Sequence, residues 1–270
     1  MVVQHNMTAA NSNRQLGIVT GQQAKSSEKL SSGYRINRAA DDAAGLAISE
    51  KMRSTIRGLD KASTNAQDGI SLIQTAEGAL NETHSILQRM NELATQAAND
   101  TNTSTDRTAI QNEIDQLTSE INRIQSTTQF NTMNLIDGSF SKKNLQVGSL
   151  CGQRIEIQIS NMNASSLGVS GLKVSSFSQA GTAMSAIQKA IDDVSTQRAK
   201  LGALQNRLEH TIANLDTTSE NTQASESRIR DTDMAKEMVT YSKNNILAQA
   251  GQSMLAQANQ ANQGVLSLLQ

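Results

Sequence analysis

The sequence contains no proline and no tryptophan, and aromatic residues make up only 2% of its 270 positions. Aromatic side chains bring the largest buried area per residue, so a compact core filled with aromatic rings is not expected. A proline inside a helix costs about 3 kcal/mol, and its absence removes the main obstacle to very long helices. The composition therefore favours narrow helical structures with alanine-lined contacts.

The chain also has no large excess of one charge sign; its net charge is −1. No basic field is available for nucleic acid, so we predict no nucleic-acid partner. No apolar run approaches the roughly 20 residues that span a bilayer, so we predict no membrane insertion. The start, MVVQHNMTAANSNRQLGI, lacks a basic region followed by an apolar one, so no cleaved signal peptide is expected. These features fit a cytoplasmic protein or one exported without such a signal.

Reactive residues are few. Cys151 is the one cysteine, which excludes an intramolecular disulfide; it is either a surface thiol without a role or a redox or cross-linking residue. His5, His84 and His210 lack metal-ligand spacing, and no HExxH motif is present. The glycines of GVSG at 168–171 lack the lysine of a phosphate-binding loop. We therefore predict a protein that is not an enzyme and needs no cofactor or metal.

Apolar residues repeat every seven positions from about Ala44 to Asn99. Such rows over this length predict a coiled-coil-like helix roughly 80 Å long. The first row is Met52, Leu59, Ala66, Ile73, Leu80, Leu87 and Ala94; the second is Ile48, Thr55, Ala62, Gly69, Ala76, Thr83, Met90 and Ala97. A turn at 99–106 then leads to a second helix, which ends near Gln125 and can fold back on the first.

Residues 129–176 have a different pattern. Apolar and polar residues alternate strictly over 154–160, which predicts a half-buried strand. Its expected partner is 144–149, across a turn at 150–153, and 172–175 is a candidate third piece. The sequence therefore predicts a small β-hairpin region.

A third long helix is expected from about Gly181 to Glu226, because Ile187, Val194, Leu201, Leu208 and Leu215 recur at seven. Long apolar rows at opposite ends of a chain can pair only if the chain doubles back. The termini should therefore lie near each other.

The final segment, Asn245–Gln270, contains no charged residue. Apolar residues step by seven within it at Leu247, Met254, Ala261 and Leu268, and they are joined by Ala250, Leu255, Ala258, Val265 and Leu269. Gln and Asn fill most of the remaining positions. Its apolar face needs cover, and its amides are too frequent for lipid. We predict that this segment is buried among protein partners and is disordered in a free copy.

Several ordered blocks of the chain resemble bacterial flagellins. These include SSEKLSSGYRINRAADDAAGLAISEKMRSTIRGL near the start, LQRMNELATQAAND in the middle and RIRDTDMAKEMVTYSKNNILAQAGQSMLAQANQANQGVLSLL at the end. The resemblance covers nearly the whole chain. Only the short hairpin region separates the two halves, so the sequence is similar to a minimal flagellin without a large variable outer domain.

The resemblance implies a mainly α fold, in which a long antiparallel coiled-coil-like helical bundle rod is built from both chain ends with a small β-hairpin region at about 139–176. Residues 1–43 and 230–270 would form an inner pair of terminal helices, and residues 44–229 an outer helical rod. The implied function is that of a structural subunit that polymerises helically into the flagellar filament for motility. A hook–filament junction protein and an intracellular coiled-coil signalling or binding protein are the alternatives.

The resemblance also implies surroundings and partners. The expected location is the extracellular flagellum, reached by export without a cleaved signal peptide. The implied partners are other copies of the chain, the flagellar cap and hook-associated junction proteins, and an export chaperone at the C-terminal helix.

The resemblance further implies two sets of site residues. The self-assembly set is Arg35, Arg38, Asp41, Asp42, Leu247, Met254, Leu255, Val265 and Leu268. The four charged members have an alternative interpretation as a solvated charged turn that caps a helix.

The other set matches the flagellin patch bound by the innate-immune receptor Toll-like receptor 5. It comprises Gln88, Arg89, Leu93, Gln96 and Glu113, with Glu92 beside them. Arg89, Leu93 and Gln96 are about one helical turn apart, so we expect them to share a face. The alternative is that this face packs against the next subunit.

Overall fold

The computed structural model describes residues 6–267, and of residues 261–267 it describes the backbone alone. The described chain is mainly α-helical, as predicted, and has two short antiparallel strand pairs, one of which is the predicted hairpin. The elements are α1 (Met7–Ser32), α2 (Ala43–Ala97), α3 (Ser104–Thr127), β1 (Gln129–Phe130), β2 (Met133–Asn134), β3 (Lys143–Gln146), β4 (Arg154–Ile157), α4 (Phe177–Arg230) and α5 (Met234–Ser267).

The chain divides into two compact units. The first comprises Met1–Ser54 and Asn221–Gln270, and the second is Thr55–Glu220. α2 and α4 each contribute residues to both units. The division into 1–43 with 230–270 and 44–229 concerns layers of an assembled polymer and stays a prediction.

The core of the second unit is made by the heptad rows. Leu80, Leu87, Val194 and Leu201 are fully buried in one cluster that α2, α3, α4 and the hairpin share. Polar contacts show that α2 and α4 run antiparallel, because partner numbers change in opposite directions along the two helices. Ser63 bonds to Asp216, Glu77 pairs with Arg198, and Thr95 bonds to Met184.

The hairpin forms where the alternating pattern predicts it. β3 pairs with β4 in a register that sets Lys143 opposite Ile157 and Gln146 opposite Arg154. Ile155 and Ile157 are buried in the core, and the alternating residues Arg154 and Glu156 are exposed. The absence of a side chain at Gly69 of α2 allows this packing, because a Cβ there would lie 2.5 Å from Leu145 Cδ2.

Two details of the β region differ from expectation. Residues 172–175 do not form a strand; instead the Gln111 side chain of α3 donates to the carbonyl of Leu172 and accepts from the N–H of Val174. This one amide satisfies the backbone groups that a strand partner would have satisfied. The β1–β2 pair was not predicted, because two-residue strands are too short to show alternation.

The first unit contains α1 and α5, which pack against each other, so the two ends of the described chain are close, as predicted. The Asn6 side chain caps α1 by accepting from the N–H of Ala9, and it also donates to the carbonyl of Ala258. Gly33 ends α1 in a left-handed conformation, with φ 74°. Within the described residues, no helix is long and apolar enough to cross a membrane.

The predicted row of α2 is wrong at Ile48, which is 48% exposed. The neighbouring Ser49 is fully buried and donates its hydroxyl to Glu226 Oε1 over 2.7 Å. The buried face of α2 in the first unit is therefore set by Gly45 and Ser49, one turn apart, because a carboxylate of α4 faces this position.

Candidate functional site

α5 carries an unusually exposed apolar surface. It buries only a narrow stripe that includes Asn244 and Ala248, and Gly251 of this stripe lies against Leu16 of α1. The remaining large apolar side chains of the described part of α5 are exposed. We define the α5 outer surface as Met234, Met238, Val239, Ile246, Leu247 and Met254.

The structure separates the predicted apolar assembly residues into three groups. Leu247 and Met254 belong to the α5 outer surface. Leu255 is half-buried, four residues after Gly251 on the stripe that faces α1. The side chain of Val265 and all of Leu268 lie outside the described residues. The exposed pair is therefore available to another molecule, whereas Leu255 also serves the contact within the chain.

The charged turn after α1 forms a backbone link with the end of α4. We call this link the clasp; it comprises residues 33–35 and 230–232. The N–H of Arg35 donates to the carbonyl of Arg230, and the N–H of Thr232 donates to the carbonyl of Gly33. Tyr34 and Asp231 form an isolated antiparallel bridge between these bonds. The clasp joins segments almost 200 positions apart, so no local sequence signal indicates it.

Side chains reinforce the clasp. The Arg230 guanidinium stacks 4.7 Å from the centre of the Tyr34 ring, and its Nη1 lies 2.9 Å from Glu50 Oε1. The Arg35 guanidinium donates to the carbonyl of Ile229, the penultimate residue of α4. The Arg35 contact thus satisfies a backbone carbonyl at a helix end, where no intrahelical donor is available.

The other charged residues of the turn also have partners within the chain. Arg38 Nε lies 3.0 Å from Glu28 Oε1. The Asp41 carboxylate accepts from the N–H groups of Arg38 and Asn37, and these bonds lower the pKa of Asp41. Asp42 accepts from the N–H of Gly45 at the start of α2. The geometry thus fits the alternative interpretation of these four residues, a charged turn that caps a helix. Pairing of these residues between subunits stays a prediction.

The predicted receptor patch centres on Arg89. Its guanidinium lies 3.1 Å from Glu92 Oε2 and 3.0 Å from Glu113 Oε1, which joins α2 to α3. These two ion pairs raise the pKa of Arg89. All three side chains remain about half-exposed or more, so the pairs are accessible to solvent and individually weak, at about 0–1 kcal/mol each.

One member of the patch is not on the surface. Leu93 is only 2% exposed and belongs to the core of the second unit, so the expectation that it shares an accessible face with Arg89 and Gln96 is wrong for a single folded chain. Its position follows from the core that α2 shares with α3, α4 and the hairpin, which buries apolar residues of α2 beyond the two heptad rows. Gln88 and Gln96 are exposed, and Gln88 contacts His84 at 3.0 Å.

No group of three or more His, Cys, Asp or Glu residues within 6–267 could hold a metal ion. Cys151 is exposed in the hairpin turn, where the sequence predicts it, and His210 is exposed on α4.

Comparisons with known proteins agree across the chain. A family profile described as the bacterial flagellin N-terminal helical region matches residues 3–141, and one described as the bacterial flagellin C-terminal helical region matches residues 184–269. The chain is 56% identical to a flagellin of Halalkalibacterium halodurans and 52% identical to a flagellin of Bacillus subtilis; each match covers all of both chains. A flagellar filament 31.3 kDa core protein of Treponema maltophilum is 51% identical, also over both full lengths.

Solved structures give the same picture. A crystal structure of Bacillus cereus flagellin matches with a TM-score of 0.52 and 32% identity, over 56% of this chain and 88% of that one. A putative flagellar hook-associated protein from Vibrio parahaemolyticus has a similar fold, with a TM-score of 0.61 at 12% identity, over 71% of this chain and 100% of that one.

Proposed function

This chain belongs to the bacterial flagellin family, and from that premise we propose how it works as a structural subunit of the extracellular flagellar filament. Each copy presents the α5 outer surface to neighbouring copies, which bury it as the helical polymer grows. The family is a structural one, and neither a junction protein nor a signalling coiled coil is favoured by the comparisons.

The exposure of the α5 outer surface supports this proposal most directly. Val239 is 70% exposed and Ile246 is 66% exposed, although both are large aliphatic side chains on a long helix. Burying such a side chain is worth about 1.5–3 kcal/mol, so covering several of them in a contact with another copy would stabilise that contact. Two surfaces that differ and meet head to tail produce an open helical polymer when the rotation does not close.

Substitution at Ile246 tests this role. Ile246→Asp should leave the folded monomer unchanged, because the side chain is exposed there, but should stop filament growth, because it places a charge in an apolar contact. Ile246→Leu is the matched control and should polymerise. Salt-induced polymerisation followed by negative-stain microscopy measures both variants. Filaments of normal length from Ile246→Asp would contradict the proposal.

We also propose that free monomer binds Toll-like receptor 5 through the exposed part of the predicted patch: Gln88, Arg89, Gln96 and Glu113. The Arg89–Glu113 ion pair supports this, because it presents a fixed charged group across two helices. Arg89→Asp in purified monomer should weaken receptor binding, since it sets three carboxylates together. Arg57→Asp, also on α2, is the control. Equal affinity of Arg89→Asp and wild type would refute the assignment.

The remaining partners follow from the same surface. A free subunit with the α5 outer surface uncovered is prone to aggregate, so we propose that an export chaperone covers it before export, which proceeds without a cleaved signal peptide. Cap and junction proteins would contact the terminal helices at the ends of the polymer. A chain that ends at residue 233 should fail to bind the chaperone, and unchanged binding would refute this part.

A further inference from the structure

The second unit contains a groove of about 1020 Å³ between the β3–β4 hairpin and the helices α2 and α4. Buried apolar residues line it, among them Leu59, Val147 and Leu215. α4 provides one wall with Ala203, Arg207, His210 and Asn214, which recur every three or four residues and therefore share one face. The groove is thus several helical turns long.

The groove is cationic. Arg154 of the hairpin and Arg207 of α4 line it, and no aspartate or glutamate does. Within the described side chains, neither guanidinium forms an ion pair, whereas Arg89, Arg107, Arg123 and Arg198 of the same unit all do. Two arginines without carboxylate partners, set above apolar residues, present a surface suited to an acidic partner.

An acidic surface lies elsewhere on the same unit. Residues 77–127 carry eight carboxylates against three arginines. All three of these arginines are already paired with carboxylates of this segment. Glu82, Glu92 and Glu113 are exposed among the acidic residues. We call the exposed carboxylates of α2 and α3 in this segment the α2–α3 acidic surface.

We propose that the Arg154–Arg207 groove of one copy receives the α2–α3 acidic surface of a second copy. The inference rests on the proposed filament function. A polymer that grows head to tail needs two different complementary surfaces on each subunit, and charge complementarity fixes their register. A small-molecule ligand with an aromatic ring is less suited to this groove, because no Phe, Tyr or Trp lines it.

A charge-swap experiment tests the pairing. The groove variant Arg154→Glu/Arg207→Glu should need a roughly tenfold higher protein concentration to polymerise than wild type does, because like charges meet in the contact. The surface variant Glu82→Arg/Glu92→Arg should show the same defect. An equimolar mixture should polymerise again, because each variant then offers a surface complementary to the other.

Controls distinguish a polymerisation defect caused by misfolding from one caused by loss of the proposed contact. Lys189→Glu/Lys200→Glu makes the same charge change on α4 outside the groove and should polymerise like wild type. Circular dichroism and thermal unfolding of each monomer verify folding. Polymerisation of the groove variant at the wild-type concentration, or no recovery in the mixture, would overturn the inference. Failure of wild type to polymerise under any salt condition would instead overturn the proposed function.

Discussion

The backbone N–H of Arg35 donates to the carbonyl of Arg230 over 2.6 Å, and this bond closes the clasp between the N-terminal turn and the end of α4. The end of α1 and the start of α5 are thereby held at one place within the first unit. The stacked Tyr34 ring and the Glu50 carboxylate hold the side chain of Arg230 there. Stability of the first unit should therefore depend on this arginine.

Arg230→Met should destabilise the first unit by about 1–2 kcal/mol, because the cation–π contact and the ion pair are both lost. Tyrosine fluorescence during urea unfolding measures this selectively, since both tyrosines, Tyr34 and Tyr241, lie in the first unit and the chain has no tryptophan. Arg228→Met is the control, because Arg228 is exposed on the same helix end. Equal unfolding midpoints for the two variants would show that the clasp side chains contribute nothing.

Gly45→Ala should also destabilise the first unit, by about 1–3 kcal/mol. A Cβ at this position would overlap Asp42 Oδ2 and lie 2.8 Å from Ile36 Cδ1, and Ile36 is buried. Gly21→Ala in α1 is the matched control, since nothing lies within 4 Å of the added methyl group. That control should stabilise the monomer by about 0.5–1 kcal/mol through helix propensity. Destabilisation of similar size in both variants would contradict the steric explanation.

Leu201→Ala should cost about 2–5 kcal/mol in the second unit, because it leaves a cavity in the shared core. Leu150→Ala in the exposed hairpin turn should change stability by less than about 0.5 kcal/mol. Circular dichroism at 222 nm during thermal unfolding measures the helix content of each variant. A small effect of Leu201→Ala would mean that the heptad rows do not stabilise the core of the second unit.

The N-terminus of α3 should respond to acid. The Thr103 side chain and backbone N–H both bond to the Asp106 carboxylate, and they lower the pKa of Asp106 below its ordinary value of 3.8. A depressed pKa favours the charged form in the folded state. The cap therefore contributes stability above the unfolded pKa, and this contribution is lost as pH falls through the folded pKa.

Nuclear magnetic resonance titration between about pH 2 and 6 checks that the pKa of Asp106 is lowered in the folded chain. Thr103→Ala should return the pKa of Asp106 towards its ordinary value and speed amide exchange in the first turn of α3. Thr105→Ala removes an exposed hydroxyl two positions later and should do neither. The same titration curve for Asp106 in wild type and Thr103→Ala would refute the capping account.

The sequence predicts the helices and the hairpin well, because their signals are periodic and local. Leu80 and Leu201 are buried where the seven-residue rows place them, and Ile155 and Ile157 are buried where alternation places them. Periodicity fails at Ile48, because a hydroxyl–carboxylate contact from a distant helix sets the buried face there.

The candidate sites are predicted less completely. The spacing of residues in the sequence predicts neither the burial of Leu93 nor the formation of the clasp. Both depend on tertiary contacts: Leu93 is buried because α2 has several neighbours, and the clasp pairs two turns that are distant in sequence. The resemblance indicates which residues belong to a patch, but it does not indicate which of them point outward. The uncharged composition of Asn245–Gln270, in contrast, predicts an apolar face that needs cover, and Ile246, Leu247 and Met254 of the α5 outer surface lie in that segment.

In the filament, neighbouring copies should cover the α5 outer surface, which a single chain leaves exposed. Hydrogen exchange of residues 234–260, measured in dilute monomer and in assembled filament, detects this cover. We expect rapid exchange in the monomer and strong protection in the filament, while the core of the second unit is protected in both. Strong protection of 234–260 in the monomer, with no further gain on assembly, would contradict the account.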